Sequence, residues 1–139
     1  MFRRQLVEAA LAWEKAFGVA PAITSALSEY DAALLVGFTL EAYSESMQGR
    51  KPVQKGYDFE FNGARYQVKA NRPSGKPDSF VTLVPKAKNY EWDFLIWILY
   101  NPQYEIQEAW RWDVSAYKNA FHNVARLSPK HYQNGNRIA

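Results

Sequence analysis

The chain has 139 residues, of which 47% are hydrophobic and 22% are charged, and it contains no cysteine. At this length a chain buries roughly two thirds of its unfolded surface, which favours one domain around one core and excludes a large multidomain enzyme. A chain without cysteine has no disulfides, thiolate nucleophiles or thiolate metal ligands. This composition is typical of a reducing compartment, so we expect a cytoplasmic protein.

The first predicted element is an amphipathic helix over residues 3–17. Four apolar residues recur on one face of it: Leu6, Ala10, Trp13 and Phe17. Gly18 is suited to end the helix. Because Glu8 and Glu14 interrupt the apolar run, the segment is unsuited to be a signal sequence or a membrane span.

A second, longer helix is predicted to begin at Ser28, where Asp31 three residues later resembles a capping box, and to continue to Gly49 with a bend near Gly37. Its inward stripe is predicted to consist of Tyr30, Leu34, Phe38 and Ala42. This stripe places Glu41 and Glu45 near its edge, where they can point toward a neighbouring sheet.

Residues 56–70 predict a tight β-hairpin, because two alternating runs flank Asn62-Gly63. With a two-residue turn, Glu60 lies opposite Arg65, and Asp58 lies opposite Gln67. One face is then apolar and faces helices. The other face is polar and carries Asp58, Glu60, Arg65, Gln67 and Lys69.

Three further strands and a short helix are predicted after the polar loop 71–79. The strands are FVTLVP (80–85), the continuously apolar FLIWILY (94–100) and the alternating run 104–114; the helix covers 115–122. Four tryptophans on or beside these strands suit core or dimer contacts better than base stacking: Trp92, Trp97, Trp110 and Trp112. The elements predict an α/β fold with a central mixed β-sheet of four to five strands flanked by helices. Residues 1–126 form the single domain, and residues 127–139 form a polar tail that frays.

The net charge of +3 is unevenly distributed along the chain. Residues 50–88 contain nine basic and three acidic side chains, a net charge of +6, so that the remainder carries −3. The basic residues are Arg50, Lys51, Lys55, Arg65, Lys69, Arg72, Lys76, Lys86 and Lys88. A basic segment on a slightly acidic body is typical of a protein that meets a polyanion, although a solvated lysine-rich edge explains it equally well.

The predicted hairpin brings together a chemically suggestive set of groups. Asp58 offers a charged oxygen, the Gln67 side chain and the Val68 backbone carbonyl offer neutral oxygens, and such ligands suit magnesium. Lys69 lies two residues along the same face, beside the water that a bound magnesium would carry. It could orient that water for attack on a phosphate ester, or stabilise the negative charge that grows on the phosphorus group.

The order helix, GYDFEF, turn, YQVKA resembles the PD-(D/E)XK nuclease superfamily, which includes many restriction endonucleases and junction resolvases. The resemblance covers residues 28–113, with Asp58 as the strand acid, Gln67-Val68-Lys69 as a variant of the second motif, and Glu41 as the helix acid. Gln67 stands where the family motif usually has its second acid. Tyr57 stands where the motif has a proline before the first acid. Glu45 and Glu29 are the substitutes for Glu41.

This resemblance implies a restriction-endonuclease-like fold and magnesium-dependent cleavage of DNA, with manganese as a possible substitute ion. The implied catalytic residues are Asp58, Gln67, Lys69 and Glu41, and the implied metal ligands are Asp58, Gln67, Val68 and Glu41. Phosphate contacts are expected from Arg65, Arg72, Lys76, Lys86 and Lys88. A homodimer is expected, since cutting both strands symmetrically needs two sites.

Three other interpretations remain open from the sequence. The polar residues of the hairpin can be a solvated face, with Glu60 and Arg65 as a cross-strand ion pair. The fold can serve a non-catalytic nucleic-acid-binding module. It can also serve as a protein-interaction module, such as an antitoxin or a phage-encoded inhibitor, that uses the aromatic strands of residues 92–112. His122 and His131 lack a metal-binding spacing and are predicted to be structural.

Overall fold

The computed structural model describes residues 1–50 and 56–139 and has an α/β fold with a mixed five-stranded sheet. The strands are β1 (Phe59–Phe61), β2 (Ala64–Asn71), β3 (Phe94–Tyr100), β4 (Ile106–Asp113) and β5 (Asn136–Arg137). They lie in the order β1-β2-β3-β4-β5, with β2 and β3 parallel and all other neighbours antiparallel. The predicted α/β class and mixed sheet are confirmed.

Helices cover both faces of this sheet. They are α1 (Phe2–Phe17), α2 (Thr24–Val36), α3 (Leu40–Gln48), α4 (Val114–Phe121) and α5 (Pro129–Tyr132). Within the part of the chain that the structure describes, no helix is both long and apolar enough to cross a membrane.

The first helix forms as predicted, but it is rotated about its axis relative to the expected face. Ala10 is buried, whereas Trp13 and Phe17 are more than half exposed. The rotation has a polar cause. Arg3 forms an ion pair with Asp31 near one end of α1, and Glu14 forms one with Arg72 near the other end. These two ion pairs turn the side of α1 that carries Val7 and Ala10 toward the core.

The predicted second helix is two helices, and it begins earlier than expected. Its first segment, α2, begins at Thr24, so Ser28 and Asp31 are buried interior residues and not caps. The chain leaves the helix at Gly37, which has a φ of 124°, and α3 restarts after Thr39, whose hydroxyl accepts the Ala42 N–H. The predicted inward stripe is wrong for α2, which buries Leu27, Asp31 and Ala32, whereas Tyr30 and Leu34 are only half-buried. Of the two stripe residues after the break, Phe38 packs against the core and Ala42 is exposed.

The hairpin of β1 and β2 is confirmed in turn and register. Asn62 and Gly63 both have positive φ, as a two-residue type I′ turn requires, and Glu60 lies opposite Arg65. Phe59, Tyr66 and Val68 are buried against the helices, as predicted. Regular pairing ends at Phe59, so the predicted pair of Asp58 with Gln67 is not part of the ladder, and Tyr57 packs on the opposite face of the sheet.

The segment predicted as a third strand, residues 80–85, is not a strand. It belongs to the crossover from β2 to β3, which run parallel, and such a connection must cross a face of the sheet. Val84 makes an isolated bridge with Leu127, while Phe80 and Leu83 are exposed. The apolar run therefore anchors the crossover through the buried Val84 and the partly buried Val81, without forming a regular strand.

The central strand β3 is buried on both faces, as predicted. Ile96 and Ile98 belong to the cluster under α1 and α2, while Leu95 and Trp97 belong to the cluster under α4. Three of the four tryptophans, Trp92, Trp97 and Trp112, lie in this second cluster and are buried. Their predicted place in the core is confirmed.

Residues 127–139 were predicted to be a fraying tail, but they are folded onto the sheet. Leu127 and Tyr132 are buried, and β5 pairs with β4. The Tyr132 hydroxyl is hydrogen-bonded to the Tyr117 hydroxyl at 2.9 Å, and its carbonyl accepts the Trp112 indole N–H at 3.0 Å. The polar composition of the segment concealed these two anchors, and the domain boundary predicted at residue 126 is not present.

Candidate active site

A cavity of about 360 Å³ opens where β1 ends and the edge of β2 becomes free. It is lined by polar groups of α2 and by the strand that follows the hairpin turn. The lining includes Glu29 from α2, Asp58 from the start of the hairpin, and Gln67, Val68 and Lys69 from β2. The structure thus brings four sequence-predicted site residues, Asp58, Gln67, Val68 and Lys69, to one place.

Asp58 caps the free edge of β2. Its carboxylate accepts the Val68 N–H at 2.7 Å and the Gln67 amide N–H at 3.3 Å, while its own backbone N–H donates to the Tyr66 carbonyl at 2.8 Å. The N–H and C=O of one strand residue project toward the same side. The Val68 carbonyl therefore faces the cavity edge beside Asp58, where β1 no longer covers it.

Glu29 is the helix acid that the fold brings to this site. It projects from α2 and lines the same cavity as Asp58, and Arg50 Nη1 lies 3.4 Å from its Oε2. Burial and the neighbouring charge of Asp58 raise the pKa of Glu29 to about 7. Two facing carboxyl groups of this kind favour a proton or a cation between them.

Lys69 lies half-buried at the same cavity. Burial lowers the pKa of Lys69, the nearby charge of Lys88 acts in the same direction, and Asp58 opposes both. A partly desolvated ammonium next to a carboxylate interacts more strongly with an incoming anion than a solvated lysine does.

Glu41, which we predicted to be the helix acid, does not line the cavity. It lies exposed in the first turn of α3, after the break that separates α3 from α2. Glu29 lines the cavity instead. The sequence analysis named Glu29 only as an alternative to Glu41. The start of α2 at Thr24 has Ile23 as its N-cap and no side-chain capping hydrogen bond, so no capping residue marks it in the sequence. A helix that begins there carries Glu29 in its second turn.

Two of the five predicted phosphate contacts have structural roles instead. Arg72 is 6% exposed, makes a two-point ion pair with Glu14 at 2.8 Å, and donates to the Pro102 carbonyl. Lys86 donates to the carbonyls of His122 and Val124 after α4. Both side chains are occupied by contacts that hold the fold together, which leaves neither of them available to bind a phosphate.

The other basic residues keep more freedom. Lys88 is exposed near Lys69, Lys76 is exposed at a separate cavity, and Arg65 lies beside Asp93, with 3.5 Å between Nε and Oδ2. The expected ion-pair partner of Arg65 was Glu60, but its partner in the structure is Asp93. Lys51 and Lys55, part of the predicted basic segment, lie outside the described residues.

The oxygen donors of the cavity beside β2 are two carboxylates, one amide and one backbone carbonyl, and the hydroxyls of Thr24, Ser25 and Ser28 also line the cavity. In residues 1–50 and 56–139, no group of three or more His, Cys, Asp or Glu side chains is placed to hold a metal ion. A divalent ion here would therefore depend on Glu29 and Asp58 together with the neutral oxygens of Gln67 and Val68. Hard cations such as magnesium accept this mixture and retain several waters.

The raised pKa of Glu29 predicts that the free energy of unfolding decreases as pH rises. Folding raises this pKa from the usual 4.5 to about 7, so the folded state binds more protons between these values and the free energy of unfolding decreases as pH rises through them. Glu29→Gln should remove this decrease. The free energy of unfolding of the variant, relative to that of the wild type, should therefore be higher at about pH 8 than at about pH 5, by about 2 kcal/mol. Urea unfolding curves at both pH values measure the difference.

The exposed Glu41→Gln is the matched control for this measurement and should leave the pH profile of the wild type unchanged. A wild-type stability that rises between about pH 5 and about pH 7, and is unaltered by Glu29→Gln, would contradict the close approach of the two carboxyl groups.

No model of a known protein family matches this chain, and no curated protein matches it significantly. A functional proposal therefore depends on the chemistry of the cavity itself.

Proposed function

We propose that the protein is a magnesium-dependent endonuclease that hydrolyses DNA phosphodiester bonds at the cavity of Glu29, Asp58, Gln67 and Lys69. The observation that carries the proposal is the joint placement of two facing carboxyl groups and a half-buried lysine at the open edge of β2. The resemblance of the hairpin motif to the PD-(D/E)XK nucleases supports the same chemistry.

The carboxyl pair fits a divalent cation. Asp58 and Glu29 would supply the charged ligands, and the Gln67 amide oxygen and the Val68 carbonyl the neutral ones. Magnesium bound there supplies a Lewis acid and lowers the pKa of a bound water. Since Glu29 holds a proton near neutral pH, cation binding should release that proton and weaken as pH falls below about 7.

The side chains of the chain itself account for the remaining chemistry. Hydrolysis forms a bond between a water oxygen and phosphorus, breaks the bond to one ester oxygen, and leaves that oxygen with a proton. Lys69 is placed to stabilise the charge that grows on the phosphoryl oxygens. The Val68 N–H donates to the Asp58 carboxylate and fixes its position. The carboxylate is thereby held at the same cavity as Lys69.

The beginning of α2 also favours a phosphate at this cavity. Thr24 and Ser25 of its first turn line the cavity, and the first N–H groups of a helix have no partners within the helix. These groups and the helix dipole attract anions. The cavity lining thus includes an anion-attracting helix start as well as carboxylates, a combination that suits a phosphodiester bound together with a cation.

Incubation of supercoiled plasmid with the purified protein tests this proposal. We expect nicked and then linear DNA with magnesium or manganese, and no product with EDTA. Parallel assays with labelled single-stranded DNA and with RNA identify the nucleic acid. Intact DNA under all metal conditions would contradict the proposal, and cleavage of RNA alone would contradict the choice of DNA.

A second candidate is a non-catalytic nucleic-acid-binding module on the same fold. It is favoured by Gln67, which donates an amide N–H to Asp58 where a second strand acid would otherwise add charge. This candidate predicts DNA binding that weakens steeply with salt, with no product in the presence of magnesium. Filter binding over a salt series, run beside the plasmid assay, separates the two functions.

A further inference from the structure

One side of α1 carries an apolar stripe that nothing in the described part of the chain covers. Phe2 is 72% exposed, Leu6 39%, Trp13 54% and Phe17 67%. They recur at spacings of four, seven and four residues, which places them in one line along the helix. Ala9 lies in the same line between Leu6 and Trp13 and is also exposed.

The stripe is symmetric about its own centre. When two copies of α1 lie antiparallel, residue n of one lies opposite residue 19 − n of the other, which pairs Phe2 with Phe17 and Leu6 with Trp13. The small Ala9 then lies beside the two-fold axis, where helix backbones approach most closely, to about 8–10 Å. Self-complementarity of this kind is what a two-fold interface requires.

The exposed area suits a dimer of ordinary size. The four large side chains leave on the order of 500 Å² of apolar surface in solvent, because a large apolar side chain presents roughly 150–250 Å² when fully exposed. Met1 (78% exposed) and Val19 (70% exposed) extend the surface at its two ends. A standard interface buries about 800 Å² per partner, so α1 supplies most of what is needed.

The charges on α1 argue against a lipid surface as the occupant. An interfacial membrane helix carries basic residues along the rim of its apolar face. Here Arg3 is bound to Asp31 on the inner side, and Arg4 and Lys15 lie on the other exposed flank together with Glu8. The stripe itself is bordered by alanines and Gln5.

We propose that α1 forms an antiparallel, two-fold interface with a second copy of this chain, through Phe2, Leu6, Ala9, Trp13 and Phe17. The inference is independent of the proposed nuclease activity, because none of these residues lines the cavity of Asp58 and Lys69.

Light scattering of the full chain over a wide range of concentrations tests the interface. The wild type should have twice the mass of one chain. Leu6→Lys and Trp13→Glu should each raise the dimer dissociation constant by at least about a hundredfold, since each buries a charge against an apolar partner. Phe80→Glu, at a 78% exposed position outside the stripe, should leave the dimer unchanged.

Mixing the two charged variants tests the antiparallel register. Lys at position 6 of one chain would face Glu at position 13 of the other, so the mixture should form a dimer that neither variant forms alone. In a parallel pairing these positions would not meet. Circular dichroism of each variant checks that its fold is intact.

A wild type that is monomeric throughout would overturn the proposal, whether or not it binds lipid vesicles. A dimer unaffected by either charged variant, or two monomeric variants that fail to combine, would overturn it as well.

Discussion

Replacing Lys69 with alanine should lower the rate of magnesium-dependent DNA cleavage by about 10²- to 10³-fold, the usual effect of removing one group that stabilises charge in a transition state. Lys69 is half-buried beside Asp58, and among residues 1–50 and 56–139 no other lysine lines the cavity. Asp58→Asn should have at least a similar effect, because it removes the ligand charge while the Val68 N–H keeps an acceptor. Initial rates of plasmid nicking give both numbers.

Lys88→Ala is the matched control for Lys69→Ala. Lys88 lies close enough to influence the pKa of Lys69, but it is exposed and does not line the cavity. Its loss should weaken DNA binding slightly and reduce the salt dependence, with the cleavage rate at saturating DNA unchanged. Equal effects of the two substitutions would show that Lys69 acts only through general electrostatic attraction.

The second large effect is expected far from the cavity, at the buried Asp31. Its carboxylate accepts two hydrogen bonds from Arg3, at 2.8 and 2.9 Å, and one from the Tyr100 hydroxyl at 2.6 Å, and the residue is 5% exposed. Asp31→Ala should lower the free energy of unfolding by about 3–5 kcal/mol, since it leaves the Arg3 charge partly buried without a counter-ion, with only the Tyr104 carbonyl as acceptor. Urea unfolding measures the loss.

Replacing the whole network distinguishes this mechanism from a simple loss of packing. The triple variant Arg3→Met, Asp31→Leu, Tyr100→Phe removes the three polar side chains together, leaves only the Tyr104 carbonyl that accepts from Arg3, and should recover most of the lost stability. Glu8→Ala, at an exposed position of the same helix, should change stability by less than about 0.5 kcal/mol. A triple variant no more stable than Asp31→Ala would contradict the account.

Patterns that act through local geometry predicted the fold well. The Asn62-Gly63 turn set the hairpin register, because two residues of positive φ match the twist of the strands. The run of residues 94–100 predicted a strand buried on both faces, since each side chain along it is apolar. Both signals lie within a few residues of the structure that they specify.

Features determined by distant partners could not be predicted in the same way. The face that α1 buries depends on Asp31 and on Arg72, which lies 58 residues from Glu14 in sequence. The C-terminal segment folds because Tyr132 enters a cluster built by Trp97 and Tyr117. Hydrophobic periodicity carries no information about such partners, so it gave the wrong face in one case and no structure in the other.

The candidate site shows the same division. Asp58 and the Gln67-Val68-Lys69 run were found because the hairpin fixes their relative positions. The helix acid was misplaced, since choosing between Glu29 and Glu41 requires the break at Gly37 and the true helix start at Thr24. Arg72 and Lys86 are basic residues whose partners, Glu14 and the carbonyls after α4, come from other parts of the chain.

Cleavage of plasmid DNA by the wild type, Glu29→Gln and Glu41→Gln in magnesium tests the central claim most directly. The claim is that the cavity between α2 and β2 is a nuclease centre completed by Glu29. We expect Glu29→Gln to lose at least about 10²-fold in rate and Glu41→Gln to match the wild type. Full activity in Glu29→Gln, or loss of activity in Glu41→Gln alone, would contradict this assignment.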